Sequence, residues 1–141
     1  MRLLRPLVYV WVFPGSAVGL MAASLALVSG GRARVVDGVL EVHGGLVTLI
    51  LIRGNRWVGP IAAITLGHVV VGCDEATLQR TRLHERVHVR QYERWGPFFI
   101  PAYLASSVWL GLRGFNAYLD NPFEVEAYAI DDTRESGDAE L

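Results

Sequence analysis

Only one of the 141 residues, Cys73, is a cysteine. A lone thiol closes no internal disulfide, and without a second cysteine at short spacing it makes no thiolate zinc site. Small apolar filler is its expected role. Charge is scarce as well: 19% of the residues are charged, below the roughly 25% of ordinary soluble domains. The formal net charge is -1, and no basic patch interleaved with aromatics is present, which excludes an electrostatic footprint for nucleic acid. Internal repeats and low-complexity tracts are absent too. The length suits one domain with a real core and leaves no room for a separate recognition domain.

What the chain has in excess is apolar residues, 52% of the total, gathered into a few stretches. From Leu7 to Val28 there is no charge. At 1.5 Å per residue that run reaches about 33 Å as a helix, the thickness of a bilayer's hydrocarbon. It is expected to be a membrane-spanning helix, with Trp11 near one interface and Pro14 and Gly15 able to kink it. Arg2 and Arg5 precede it and Arg32 and Arg34 follow it, so the basic flanks balance and sidedness stays open. A cleaved signal peptide fits less well, because the uncharged run continues past the small residues Ala22, Ala23 and Ser24. A buried helix of a soluble domain is the remaining alternative.

Beyond Gly30 and Gly31 the pattern turns extended. Val35–Val42 (VVDGVLEV) reads as two short strands turned, or one strand bulged, at Asp37 and Gly38. Leu46–Ile52 (LVTLILI) reads as a strand ended by Gly54 and Asn55, and Ile61–Val71 as another extended stretch broken at Gly67. Together they predict a small sheet of three or four strands. A second span over Trp57–Gly72 is long enough but carries His68 and several glycines, so the sheet is preferred.

From Asp74 onward charges are everywhere and Gly and Pro disappear until Gly96-Pro97. The spacing predicts a long helix, started by Asp74 or Thr77 as cap. Within it stands HERVH, residues 84–88. A helix carries its first and fifth residues on one face, so His84 and His88 can grip one Zn²⁺ while Glu85 takes a proton from water. The competing reading is an ordinary charged helix with exposed histidines. Phe98–Leu112 is apolar and short for a span; it reads as a buried or interface-lying helix packed behind the metal-binding one. Asn121-Pro122 then looks like an N-cap and first-turn proline opening a last helix, with a polar tail from Thr133.

A catalytic zinc site keeps three protein ligands and one open position, so the two histidines ask for a third donor. Glu124 is the candidate. Counted from Asn121 it is also N3, where it can instead close a capping box. Glu126 projects roughly 200° away around the helix and is the backup ligand. Tyr92, Tyr118 and Tyr128 are candidate oxyanion donors, although packing is the commoner role for such residues. Asp131 can orient a histidine's second nitrogen. His68 and His43 are expected to be structural, Arg90, Glu93 and Arg94 to form a charge network, and Gln91 to follow the metal face only loosely.

The strings HERVHVRQYERWGPFFIPAY and NPFEVEAYA resemble those of small bacterial gluzincin-type zinc metallopeptidases, the minigluzincins, and more distantly those of the membrane-bound CAAX-prenyl and heat-shock endopeptidase family. The resemblance covers roughly Gly67 to Asp131. It implies His84, His88 and Glu124 as zinc ligands, Glu85 as the base, a strand around Ile64–Val71 bordering the cleft, and a bacterial inner membrane as location. One departure stands out: that endopeptidase family commonly continues its second motif to alanine-aspartate, whereas this chain has Ala127-Tyr128.

The expectation is therefore an α+β fold: an N-terminal transmembrane helix, a small antiparallel or mixed sheet, an HExxH helix, an apolar connecting helix and a C-terminal third-ligand helix. Residues 1–31 form the anchor, 32–132 a zincin-like metallopeptidase domain and 133–141 the tail. The expected function is zinc-dependent hydrolysis of a peptide or protein substrate at a membrane, with a homo-oligomer compatible. The alternative is a non-catalytic membrane-associated protein with a structural metal or helix-packing role.

Overall fold

The structure is a computed structural model that describes the backbone over residues 5–53 and 61–138, and side chains over 6–53 and 61–130. Gly54, Asn55, Trp57, Asp131 and the arginines 2 and 5, which entered the sequence reading, have side chains outside the described residues. In chain order the elements are α1 (Arg5–Val28), β1 (Arg32–Val36), β2 (Val39–His43), α2 (Gly45–Arg53), β3 (Ala63–Leu66) and β4 (Val69–Gly72), then α3 (Glu75–Trp95), α4 (Phe99–Leu112) and α5 (Pro122–Asp138). A single 3₁₀ turn, Gly96–Phe98, joins α3 to α4.

The four strands form one mixed sheet in the order β1-β2-β4-β3. β1 and β2 are a hairpin, turned at Asp37 and Gly38, whose φ angles of 50° and 80° are those of a type I′ turn, the geometry an Asp-Gly pair favours. β3 and β4 are a second hairpin, and β2 runs parallel to β4. The strand expected at Leu46–Ile52 is not there: this run is helix α2. Two parallel neighbours need a crossover, usually helical, and α2 supplies it. Its start is fixed by side chains, Leu46 N donating to Ser29 Oγ and Gly44 N to Thr48 Oγ1. Val47 and Leu51, one helical turn apart, are its buried residues.

Side chains alternate across the sheet as its pleat requires. Val42, Val69 and Val71 face α1 and α2 and pack on Ala23, Ala26, Val47 and Leu51. Val39 and Val70 face α3 and pack on Leu78 and Val89. The sheet is thus sandwiched between α1–α2 and α3. A third cluster, Val12, Tyr92, Phe99 and Phe123, ties α1 to the far end of α3 and to the starts of α4 and α5. Tyr92 is consumed there as packing, its phenol pushed up to about 12 by burial, and it plays no part in the candidate site.

Helix α1 is the one helix among the described residues long and apolar enough to cross a membrane. It is not a detached rod. Gly15 lies against Tyr92, Gly19 against Val69 and the Leu66 carbonyl, and Ser16 Oγ accepts a hydrogen bond from His68 N. Helix α4 departs from one of the expected readings: only Phe99 is buried, while Ile100, Leu104, Val108, Trp109 and Leu112 are exposed. A helix apolar on every side is ordinarily covered on every side, by a core or by lipid; here the outer side of α4 is covered by none of the described residues.

Behind α3 a buried carboxylate pins the first hairpin. Glu41 accepts from Arg82 Nε at 2.7 Å and from Arg34 Nε at 3.3 Å, and Arg86 Nη2 donates to the Val36 carbonyl at 2.6 Å. Burial alone raises the Glu41 carboxyl; the hydrogen bonds and charge of Arg82 and Arg34 outweigh it and hold the group below its ordinary range.

Two outcomes are expected. Gly67 has φ of 66°, and a Cβ there would overlap the backbone nitrogen and hydroxyl of Ser16. Gly67→Ala should therefore cost at least about 2 kcal/mol, left-handed strain and overpacking together, measured by denaturant unfolding. Because the folded Glu41 carboxyl lies lower than the unfolded one, its stabilisation is complete above about pH 4.5 and is lost as pH falls through the folded value. Glu41→Gln should flatten the acid limb of a stability-versus-pH curve.

Candidate metal centre

Helix α3 carries the centre, and its start is set locally. Asp74 is the N-cap, its Oδ1 accepting from Thr77 N at 2.7 Å, and Gly96, at φ 55°, closes the other end. His84, Glu85, His88 and Gln91 all fall on buried flanks of this otherwise charged helix. The charged-helix alternative with exposed histidines does not hold.

Helix α5 brings the carboxylate. Asn121 is fully buried; its Oδ1 accepts from Phe123 N, and its amide donates to the Tyr103 carbonyl and Ser107 Oγ. One side chain thus caps α5 and clamps it to α4. The capping-box reading of Glu124 is excluded by partners: the backbone N–H of Asn121 donates to the Tyr118 carbonyl. Glu124 turns inward instead. His84 Nε2 stands 3.3 Å from Glu124 Oε2, His88 Nε2 3.5 Å from Glu124 Oε1 and 3.3 Å from His84 Nε2. All three residues are buried, and their ligand atoms lie within 4.8 Å of one another.

These separations are chemically informative. Donors about 2.0–2.1 Å from one tetrahedral ion stand about 3.3 Å apart, which is the spacing found. Glu124 Oε1 accepts from the Tyr103 hydroxyl at 2.7 Å, while Oε2 is buried without a hydrogen bond. A buried carboxylate oxygen normally has a partner. The residues therefore fit a metal ion, and the cluster is capable of coordinating one. Burial raises the Glu124 carboxyl, but the two imidazoles set against it and the hydrogen bond from Tyr103 prevail and hold it well below the usual carboxylate range.

Gln91, expected to sit only loosely near this face, is central. Its Nε2 donates to the Phe123 carbonyl and to Glu126 Oε2, each at 2.9 Å. Two acceptors on that side fix the amide orientation, so Oε1 is what faces His88 Nδ1 at 2.9 Å. His88 therefore carries its proton on Nδ1 and leaves the Nε2 lone pair for the cluster. Glu126, the backup ligand, is committed to Gln91 and Arg94. The signal for Gln91 was in the sequence: it is three residues beyond His88, on the same helical face.

Glu85 reaches the other way, to β3. Its Oε2 accepts from Thr65 Oγ1 at 2.6 Å. Burial raises the Glu85 carboxyl, opposed by the Thr65 hydrogen bond and by His88 and His84. Thr65 points to α3 because the strand alternates, with Ile64 and Leu66 on the opposite face. Tyr128 lies with its ring 4.5 Å from that of His84, edge on, and its hydroxyl meets that of Tyr118 at 3.3 Å. His68 lies outside the cluster, its Nε2 3.0 Å from Glu93 Oε1 and its ring packed at a tilt on Tyr9.

Replacing Gln91 by methionine keeps the volume and removes the anchor of His88. Metal affinity should fall about tenfold to a hundredfold, read by competition with a chromophoric chelator, with the metal stoichiometry unchanged at saturation. The chain matches no family model, no curated protein and no solved structure, so the geometry of the cluster carries the chemical argument by itself.

Proposed function

We propose that this protein is a membrane-associated zinc metallopeptidase. The observation that carries the reading is the convergence of His84, His88 and Glu124 at tetrahedral spacing, with the buried carboxylate of Glu85 on the same helix. Three protein donors with the fourth position open are the pattern of a catalytic zinc, whereas structural zinc is closed by four; the cluster among the described residues has three. When bound, zinc supplies acidity to a water molecule and polarisation to a substrate carbonyl.

The chain's residues do the remainder. His84, His88 and Glu124 are the ligands in this reading, and Gln91 and Tyr103 hold two of them in register. Glu85 is the general base: it takes the proton of the attacking water and passes it to the leaving amine. The hydrogen bond from Thr65 fixes one of its oxygens and leaves the other for that transfer. Strand β3 lies at the sheet edge, and among the described residues its outer side pairs with no strand. An extended peptide added to that edge would lie alongside Glu85, by β-augmentation.

Elemental analysis and hydrolysis of an unfolded protein substrate test the proposal together. Wild type should hold near one zinc per chain. Glu85→Gln should retain the zinc while hydrolysis drops about 10²- to 10⁴-fold, and His88→Ala and Glu124→Ala should lose both. Folded wild type without zinc, or Glu85→Gln at full activity, would overturn it.

A further inference from the structure

Three helices share one property: no charged residue interrupts Pro6–Val28, Gly45–Ile52 or Phe98–Leu112. Their outward sides are apolar and open, including Val10, Met21 and Val28 on α1, Ile50 on α2, and Leu104 and Val108 on α4. The three exposures join into one surface. Trp11 of α1 meets Phe98 at the head of α4, ring centroids 6.2 Å apart. At the other end Ala22 and Leu25 of α1 line, with Val47, Ile50 and Leu51 of α2, an apolar groove of ≈390 Å³. Soluble monomers rarely expose contiguous apolar patches beyond a few hundred Å².

Charge says what covers this surface. Each apolar helix runs out into an exposed arginine: Arg32 after α1, Arg53 at the end of α2, and Arg113 after α4. Arg113 sits over the ring of Trp109, 4.3 Å from its centroid, an aromatic and a cation paired at the margin of the apolar face. Apolar area edged by tryptophan and arginine is complementary to a leaflet of anionic phospholipid.

The packing of α1 says how it lies there. Its inner side is buried from Val12 through Gly19 to Ala26. A crossing helix would drag its packing partners to hydrocarbon depth. Among them are the edge of β3, unpaired among the described residues, and the His68–Glu93 pair, which packs on α1 through Tyr9. Unsatisfied backbone groups cost several kcal/mol each in that medium. Only the outer side of α1 can meet lipid.

We infer that the protein is monotopic: α1 lies along one anionic leaflet with α2 and α4 beside it, instead of crossing the bilayer. The inference rests on the membrane association proposed above and specifies its geometry. Tyr103, donor to Glu124, is on α4 next to the lipid-facing Leu104, so the metal centre stands within about one helix diameter, roughly 10–12 Å, of the leaflet.

The test uses the full chain with a different protease-cleavable tag at each end, reconstituted by detergent removal into vesicles of phosphatidylcholine and phosphatidylglycerol and floated. A monotopic protein gives tags that share one fate on every molecule, both cut or both protected. Arg53→Gln and Arg113→Gln should each weaken partitioning about fivefold, and Ile50→Asp with Leu104→Asp should abolish flotation while the thermal midpoint and zinc content hold. One tag cut and the other protected on each molecule would overturn the in-plane geometry and leave membrane association standing. Folded protein that does not float would overturn both, and a lipid-free dimer burying the same face would assign the surface to a second copy.

Discussion

Two imidazoles and a carboxylate, all buried, converge on one point, and the architecture around α3 follows from making that tolerable. Removing such groups from water is costly unless each remaining polar atom has a partner. The partners are drawn from every side: Gln91 for His88, Tyr103 for Glu124, Thr65 for Glu85. They belong to α3, α4 and β3, so the centre couples the sheet, the active helix and the C-terminal pair into one unit.

This explains a division of labour along α3. One flank is apolar and rests on the sheet through Leu78 and Val89. Another carries Arg82 and Arg86 to the first hairpin. A third faces α5 with His84, His88 and Gln91. The network that runs from exposed Glu126 through buried Gln91 to His88 is satisfied at each link, which makes it rigid. Preorganised ligands of that kind lose little entropy on taking up an ion.

Much of this was legible in the chain, and the failures have identifiable causes. Asp74 as cap, Gly96 as stop, the Asp37-Gly38 turn and the Asn121-Pro122 start are all short-range signals, and each was found where its local chemistry put it. Glu124 was reachable because spacing and cap chemistry set it on the first turn of α5. Leu46–Ile52 was misread since a short apolar run has no period that separates strand from helix, and the hydrogen bond that fixes the helix start is accepted by Ser29 Oγ, outside the run. Thr65 and Tyr103 were missed for a deeper reason. Their roles depend on how the edge strand and α4 pass the centre, which no local pattern encodes. The Phe98–Leu112 helix was recognisable, but its exposure was not, because a uniformly apolar helix carries no record of which side is covered.

The hydrogen bond from His68 to Ser16 joins residues 52 positions apart, and Tyr92 and Phe99, which cover Val12, come later still. Helix α1 is made first and its inner side is completed last. At ~5–20 residues per second of synthesis, its small-residue stripe waits about 3–10 s for the β3–β4 turn to be made. Through that interval the uncharged run of α1 has only the first hairpin and α2 to pack on, and the stripe that later meets β3, β4 and α3 stays bare. Factors that capture apolar nascent helices would meet it before the sheet is complete, ahead of the fold that later holds it.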